Sequence, residues 1–526
     1  MSLSPVCSCV SCPVHRGAEA AGAGVAGGGP GEAFGPARER FDAMVSGLAS
    51  PQAAALTHAE LEGQVQAGAR EVARLAYQGH LDLRAAREER RAVVTGADEV
   101  ARTRAEAGHQ RQLATVVGEV TVSRIGYRAP GVSMVYPADE QLSLPAEKHS
   151  MGVRELAAAE AAGGSFEDDA AAVERATGVR TGKRQVEQLA RRAAADFASF
   201  YASRARPAHE GVLVLEADGK GIMMRPGELR PEAARKAARA APKQQGRLSR
   251  GEVRTRKRMA EVGAVFDITP APRTAAGILP GPGDARAGAA RAGAADAPAA
   301  QNKWLTASVA AGAAQVIAAV FAEADRRDPD RDRTWIALAD GNNDQIAAIA
   351  AQAAARGIDI PVIIDLIHVT KYLWDAAWCF HPEASPHAAP WVRAHARDIL
   401  DGHAAAVAAA IAAQAAATDG LPASKHKTVR KTVRYLQTKA PFLDYPTALA
   451  AGWPISTGVI EGACRHLVND RLDITGARWS TDGAEAILKL RAIRANGDWA
   501  DYWDWHLRQE HQRTYRNHQN CYQLAA

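Results

Sequence analysis

The stretch GVLVLEADGK, from Gly211 to Lys220, decides how this chain folds. Its branched apolar residues predict a buried strand, and that strand runs into a carboxylate, Asp218, which a glycine follows. An unpaired carboxylate is costly to bury, so an acid at the end of such a strand needs a partner. A helix amide, a basic side chain or a metal ion could be that partner, and the rest of the sequence has to distinguish them.

The segments after Asp218 continue as an alternating α/β pattern. GIMMR is predicted to be a second strand after a tight turn at Gly219 and Gly221, and VGAVFDI, TWIALADG and IPVIID are predicted to be the third, fourth and fifth strands. KWLTASVAAGAAQVIAAVFAEADRR and NDQIAAIAAQAAARG are predicted to be helices, the second ending at Gly357. The order β-β-β-α-β-α-β predicts a mixed five-stranded sheet with helices on its faces, which is the order of the ribonuclease H fold.

In that fold the first and fourth strands carry neighbouring acids, and a later helix brings a third. Asp218 and Asp340 each follow an apolar strand and precede a glycine, and the pair is more specific than either acid alone, because a single Asp-Gly is a common turn. Glu461, in ISTGVIEGACRHLVNDRL, follows a predicted N-cap at Thr457, where the helix dipole favours an ionised carboxylate. The alternative for Glu461 is an ordinary surface glutamate, but its apolar neighbours favour a helix packed on a core.

The N-terminal part of the chain predicts less chemistry. A Gly/Ala-rich start predicts a disordered tail, and although Cys7, Cys9, Cys12 and His15 could bind zinc, their irregular spacing favours a tail that contains thiols by chance. Next comes a helical region that opens with a capping box of Thr57 and Glu60.

The segment TVVGEVTVSRIGYRAPG alternates in polarity and predicts a strand or hairpin. Two predicted helices follow, separated by a glycine turn, and Lys183 and Arg184 lie at the start of the second. This pattern is typical of a helix-turn-helix that presents basic side chains to DNA bases. The alternative is a pair of surface helices with a solvated face.

Two further features point to DNA. The basic segment after the second strand contains Arg254, Arg256, Lys257 and Arg258, which we expect to contact phosphates, although charge runs are often only solvated faces. Between the fifth strand and Glu461 the sequence predicts an all-helical insertion. Its tryptophans Trp374 and Trp378 lie four residues apart on one helix face, where they either pack the core of the insertion or stack on a flipped base.

The chain resembles DDE-type insertion-sequence transposases of the group named after its Kra prototype, and more distantly Mutator-like transposases. The resemblance extends over most of the chain, about residues 110 to 502. It rests on seven motifs: GEVTVSRIGYRAP, ADGKGIMMRP, RKRMAEVGAVFDI, ALADGNNDQ, IDLIHVTKYLWDAAWCF, GVIEGACRHLVNDR and GARWSTDGAEAILKLRAIRANGDW.

The resemblance implies that Asp218, Asp340 and Glu461 are the catalytic acids and hold Mg²⁺ or Mn²⁺. Asp365 and His368, in DLIH, match the Cys/Asp-x-x-His element of the Mutator-like relatives. Asp365 also ends a strand and is an alternative second acid. We favour Asp340, because the fourth strand and not the fifth neighbours the first in this fold.

The implied activity is metal-dependent cleavage of transposon ends, followed by transfer of the freed 3′ hydroxyl into target DNA. Its partners are double-stranded DNA, as terminal repeats and as target, and further copies of the chain. Two alternatives stay open: a ribonuclease H-like nuclease that cuts without joining, and a catalytically inactive DNA-binding regulator.

Composition adds broad limits. A chain of 526 residues is too long to fold around a single hydrophobic core, so roughly two to four domains are expected. The net charge of +5 is only a mild preference for polyanions, and the small number of cysteines, six with three of them near the N-terminus, fits a reducing cytoplasm. Association with the nucleoid is what the resemblance to transposases implies. No signal peptide or membrane span is predicted. The predicted regions are a tail (1–36), a helical region (37–105), the hairpin and helix-turn-helix (106–205), the sheet (206–369), the insertion (370–453), the last core helix (454–498) and a C-terminal helix or tail (499–526).

Overall fold

The computed structural model describes residues 30–204, 209–239, 256–280, 297–474 and 476–516. The N-terminal cysteine cluster and Arg254 lie outside these residues. The chain divides into two compact units, Met1–Ser150 and Met151–Ala526. The division falls inside the 106–205 range that the sequence pattern grouped as one DNA-binding region.

The first unit is built from helices and one long hairpin. Helix α3 begins with the predicted capping box, since the Thr57 hydroxyl accepts from the Glu60 amide and the Glu60 carboxylate accepts from the Thr57 amide at 2.7 Å. The predicted hairpin is confirmed, with its two strands antiparallel. The elements are α1 Pro30–Ala33, α2 Gly35–Leu48, α3 His58–Ala86, β1 Val94–Thr95, β2 Ala101–Arg102, β3 Arg104–Thr115, β4 Gly118–Arg128 and α4 Pro137–Gln141.

The second unit contains a five-stranded mixed sheet surrounded by helices. Its strands are β5 Val212–Met223, β6 Lys257–Ile268, β7 Gln301–Ser308, β8 Trp335–Ala339 and β9 Val362–Ile364. Its helices are α5 Met151–Ala161, α6 Phe166–Thr177, α7 Lys183–Ala193, α8 Phe197–Ser203, α9 Pro231–Arg239, α10 Ala275–Ile278, α11 Ala313–Arg327, α12 Asn343–Arg356, α13 Leu366–Phe380, α14 Ala388–Leu400, α15 Ala404–Ala417, α16 Ala423–Lys439, α17 Tyr445–Ala450, α18 Gly458–Ala463, α19 Asp470–Leu472, α20 Thr481–Ala495 and α21 Trp499–His511. None of the helices that the structure describes is long and apolar enough to cross a membrane.

The strand order across the sheet is β7-β6-β5-β8-β9. Strands β5, β6 and β7 are antiparallel neighbours, whereas β8 and β9 join β5 in parallel. Each sheet face is covered by its own apolar cluster. The predicted mixed five-stranded sheet is therefore confirmed, and its fourth strand does neighbour its first.

The predicted turn after Asp218 is wrong. Strand β5 continues straight through Gly219 and Gly221 to Met223, so the first two predicted strands are one strand. Neither glycine has the positive φ that such a turn requires. A Cβ on Gly219 would lie 2.9 Å from the Glu261 carboxylate of β6, so a glycine here allows a close cross-strand approach and does not signal a bend.

The predicted helix from Lys303 to Arg327 is also only partly right. Its first part is strand β7, which pairs with β6, and the helix begins at Ala313. Gly312 separates the two elements as the N-cap, where its amide donates to the Gln315 side chain. The buried run before that glycine has aromatic and β-branched residues that suit a strand.

Helices α13 to α17 fill the chain between β9 and α18, where the all-helical insertion was predicted. Their apolar residues form one cluster with one face of the sheet. Helices α6 and α7 occupy the predicted helix-turn-helix positions, with Ser165 as the N-cap and Gly178 in the left-handed conformation between them. Val186, Leu189 and Ala190 of α7 lie in the core cluster on the other sheet face.

Candidate acidic active site

Acidic side chains gather at one side of the sheet, where β8 and β9 end beside the middle of the longer strand β5. Glu216 of β5 pairs in register with Leu338 of β8, so Asp218 and Asp340 lie the same two residues further along neighbouring strands. Ala339 pairs with Ile364 of β9. Asp365, the next residue, hence lies beside Asp340 at the same edge, where open α/β sheets bind ligands.

Asp218 and Asp340 are half-buried, and their described partners are neutral. Asp218 accepts from the Gly219 amide at 2.7 Å and from the Cys464 thiol at 3.4 Å. Burial, and then the Asp218 charge, raises the pKa of that thiol, which stays a donor. Asp340 accepts from the Asn342 amide at 2.8 Å. Neither acid forms an ion pair with a described residue.

Glu461 is exposed on α18. It follows Ile460, whose amide donates a hydrogen bond to Glu216 of strand β5. Thr457 is at the N-cap position, as predicted, but its side chain does not cap the helix. After Ala463 the helix continues through a π-helical turn, Cys464–Asn469. Such turns are rare and are frequent at functional sites.

Asp365 is fully buried and holds two helices together. One of its oxygens accepts from the Ile367 amide and begins α13, and the other accepts from the Thr457 hydroxyl, both at 2.9 Å. The second oxygen also lies 3.4 Å from Nδ1 of His368, and this hydrogen bond raises the pKa of His368. Because both oxygens of Asp365 are engaged, Asp340 is the freer of the two candidate second acids.

A fifth carboxylate, Glu216, is not among the residues that the sequence pattern predicts. Its side chain is only 2% exposed, and one oxygen accepts from the Ile460 amide at 2.7 Å. The other oxygen has no hydrogen-bond partner among the described residues. Burial raises the pKa of Glu216 to about 8, and the nearby charges of Asp365, Glu461 and Asp218 act in the same direction. The available signal was the two-residue period of a strand, which puts Glu216 and Asp218 on one face.

The insertion brings two polar residues to Asp340. The Tyr435 hydroxyl lies 2.8 Å from where a Cβ on Gly341 would be, so only glycine fits at that position, which also has a φ of +92°. That hydroxyl is buried without a described hydrogen-bond partner. Lys439 donates to the Asn343 side chain, and the Asp340 charge opposes the lowering of the Lys439 pKa by burial.

The acids suit a hard divalent cation by their chemistry. Asp218, Asp340 and Glu461 offer oxygen donors that no described cation neutralises, and Glu216 adds a buried oxygen without a partner. Within the described ranges, however, no three acidic, histidine or cysteine side chains stand in an arrangement that could hold a metal ion. Carboxylate oxygens are the donor type that Mg²⁺ and Mn²⁺ prefer, but the described side chains are not arranged to hold such an ion.

Lys183 and Arg184, the residues predicted to read DNA bases, lie far from these acids in the sequence. Lys183 forms an exposed ion pair with Glu167 at 2.7 Å, and Arg184 is exposed.

Of the basic residues before and within β6, Arg256 is exposed, whereas Lys257 pairs with Asp473 at 3.2 Å. The Arg258 guanidinium donates inward, to the carbonyls of Glu228 and Ala310. Arg258 thus links β6 to the segments that contain Glu228 and Ala310, and it is less exposed than Arg256.

Trp374 and Trp378 stack on each other, with ring centroids 5.3 Å apart and planes 27° apart. They share one face of α13, as their spacing predicts. Trp374 packs against the apolar cluster under the insertion, whereas Trp378 is 41% exposed.

Comparison with protein-family models finds none that matches this chain. Comparison with curated proteins finds no significant match either. What the chain does therefore has to be inferred from the acidic site and from the residues around it.

Proposed function

We propose that the chain is a DNA transposase that cleaves phosphodiesters at transposon ends and joins the freed 3′ hydroxyl to target DNA. The observation that carries the proposal is the common register of Asp218 and Asp340 on neighbouring strands, together with the hydrogen bond from the Ile460 amide, next to Glu461, to Glu216 of β5. The strand order 3-2-1-4-5 supports a ribonuclease H-like fold, in agreement with the resemblance of the motifs.

Asp218, Asp340 and Glu461 would hold Mg²⁺ or Mn²⁺. When bound, such ions activate the attacking oxygen and stabilise the leaving oxygen of a phosphodiester. The Cys464 thiol orients Asp218, and Asp365 fixes the start of α13 relative to Thr457, just before α18. These two contacts connect the strands and helices that carry the acids.

The substrates of this activity are double-stranded terminal repeats and target DNA, bound by more than one copy of the chain at the nucleoid of the cytoplasm. Lys183 and Arg184 begin α7 and read bases, and Arg256 contacts phosphates. Lys257 also contacts phosphates once its exposed ion pair with Asp473 opens, whereas Arg258 keeps its structural contact with the Ala310 carbonyl.

The test uses DNA that carries the ends of the element, with Mg²⁺. Asp218→Asn, Asp340→Asn and Glu461→Gln should each abolish cleavage while DNA binding persists, because each removes an ionised ligand and keeps the side-chain shape. The matched control is Asp359→Asn, an exposed acid just before β9, which should cleave normally. Normal cleavage by all three site variants would refute the metal site.

Three further outcomes refine the assignment. Normal cleavage by Asp340→Asn together with none by Asp365→Asn would make Asp365 the second acid. Cleavage by the wild-type chain without any joined product would make it a nuclease. Binding without cleavage under any divalent metal would make it a regulator.

A further inference from the structure

A second candidate site lies in the insertion, in a groove between helices α15 and α16. The groove has a volume of about 830 Å³. One wall is small and apolar, from Ala412, Ala415 and Ala416 of α15. The other wall is a row of cations on α16: Lys427, Arg430, Lys431 and Arg434.

These four side chains form one stripe, because positions 427, 430, 431 and 434 follow the helical spacing i, i+3, i+4 and i+7. All four are exposed, while the opposite face of α16 is buried through residues such as Thr432 and Leu436. The packing of α16 therefore fixes which way the stripe points.

An ordinary solvated helix mixes charges of both signs, and the chain as a whole has 64 Lys and Arg against 59 Asp and Glu. Helix α16 has six Lys and Arg in its 17 residues and no acid. No acid lines the groove, and no described carboxylate forms an ion pair with any of the four cations.

This arrangement costs stability in the free protein. Like charges three and four residues apart on a helix repel, and the stripe contains four such pairs. Lys425 lies in the first turn of α16, where the helix dipole disfavours a positive charge. A polyanion in the groove would relieve this repulsion.

The same helix reaches the acidic site. At its C-terminal end Tyr435 lies against Gly341 and Lys439 bonds to Asn343, beside Asp340. Lys431 also lies over the ring of Tyr372, which stacks on Tyr435 at 3.8 Å between centroids. The stripe and the side chains that contact the neighbours of Asp340 thus lie on the same helix.

We propose that this groove binds the phosphodiester backbone of the DNA substrate and guides it towards Asp340. The inference rests on the proposed function and adds a binding surface to it. Four cations with no competing acid suit a repeated anion, and the alanine wall leaves room for the sugars. Phosphate contacts of this kind carry no base preference.

The test measures the affinity of the full chain for a random-sequence DNA duplex by fluorescence anisotropy over a KCl series. Removing one cation that binds a phosphate should reduce the steepness of log K against log[KCl] by about 0.9. We expect that decrease for Arg430→Gln, and a decrease of about 3 to 4 for the fourfold Lys427→Gln, Arg430→Gln, Lys431→Gln, Arg434→Gln variant. The matched control is Arg393→Gln, an exposed arginine of α14 in the same insertion, whose slope should stay unchanged.

An unchanged slope in both groove variants, or an equal decrease in the control, would overturn the proposal. Loss of binding to phosphatidylserine vesicles in the groove variants, with their DNA binding intact, would also overturn the proposal. It would assign the groove to a membrane surface. If the fourfold variant fails to fold, the single Arg430→Gln slope decides. The assay needs no cleavage. The groove proposal can therefore be wrong while the acid substitutions still abolish cleavage as expected, and it can be right in a chain that never cleaves DNA.

Discussion

At the scale of single residues, Glu216 connects the sheet to the helix that carries Glu461. Its hydrogen bond to the Ile460 amide is the described polar link between β5 and the start of α18. Glu216→Gln keeps an oxygen for that amide and should leave stability nearly unchanged. Glu216→Ala leaves the amide without a partner and should lower the free energy of unfolding by about 1–3 kcal/mol.

Glu216→Ala should also raise the Mg²⁺ concentration needed for half-maximal cleavage, because Glu461 is no longer held near Asp218 and Asp340. A purely structural role would lower the melting temperature without changing that concentration. The measurement is therefore a Mg²⁺ titration of cleavage well below the melting temperature, with Glu216→Gln as the control. An equal Mg²⁺ requirement for the two variants would contradict the positioning role.

The chain's own sequence could predict Asp218 and Asp340 because each ends an apolar run before a glycine. It could not as easily predict Glu216, because the alternation of a strand does not say which face will meet a later helix. Thr457 shows the same limit. Its position at a helix start predicts a cap, yet its hydroxyl bonds to Asp365, 92 residues earlier in the chain.

At the scale of elements, the predicted number of strands is right through two errors that compensate. One strand was divided at Gly219 and Gly221, and β7 was assigned to a helix. Glycine marks both turns and close cross-strand contacts, and the positive φ that separates them is not visible in a sequence. The alanine-rich sequence after Gly312 has a strong helix propensity, which extended the predicted helix back over Trp304 and Leu305.

The stacked tryptophans of α13 allow an element-scale prediction. Trp378 is the more exposed ring, so it is the one that can stack on a base, whereas Trp374 supports it from the apolar cluster. Trp378→Phe should retain strand transfer, and Trp378→Ala should weaken binding of end DNA by roughly 1–3 kcal/mol without lowering the melting temperature. Trp374→Ala should lower the melting temperature instead. Normal strand transfer by Trp378→Ala would contradict the stacking role.

At the scale of the second unit, the inserted helices and one face of the sheet share a single apolar cluster. Val214, Phe266 and Leu338 project from one face of the sheet into the same apolar cluster as Leu373 and Leu436 of the inserted helices. The sequence predicted an all-helical insertion from the length between β9 and Glu461. It did not predict this shared core, because a helical pattern shows which residues are apolar and not what they will pack against.

A shared core predicts that the insertion and the sheet unfold together. Leu436→Ala, at a fully buried position of α16, should lower the free energy of unfolding by about 2–5 kcal/mol. The matched control is Gln437→Ala, at the next and exposed position, which should change the free energy of unfolding by less than about 0.5 kcal/mol.

The measurement follows far-UV and near-UV circular dichroism during urea unfolding. The helices dominate the far-UV signal, and the tryptophans on both the sheet and the insertion contribute to the near-UV signal. If the two signals move to lower urea together in Leu436→Ala, the insertion is part of the sheet's own folding unit, and the phosphate groove on α16 is held as firmly as the acids. If only the far-UV signal moves, α16 unfolds separately, and its contacts with Gly341 and Asn343 cannot fix the groove relative to Asp340.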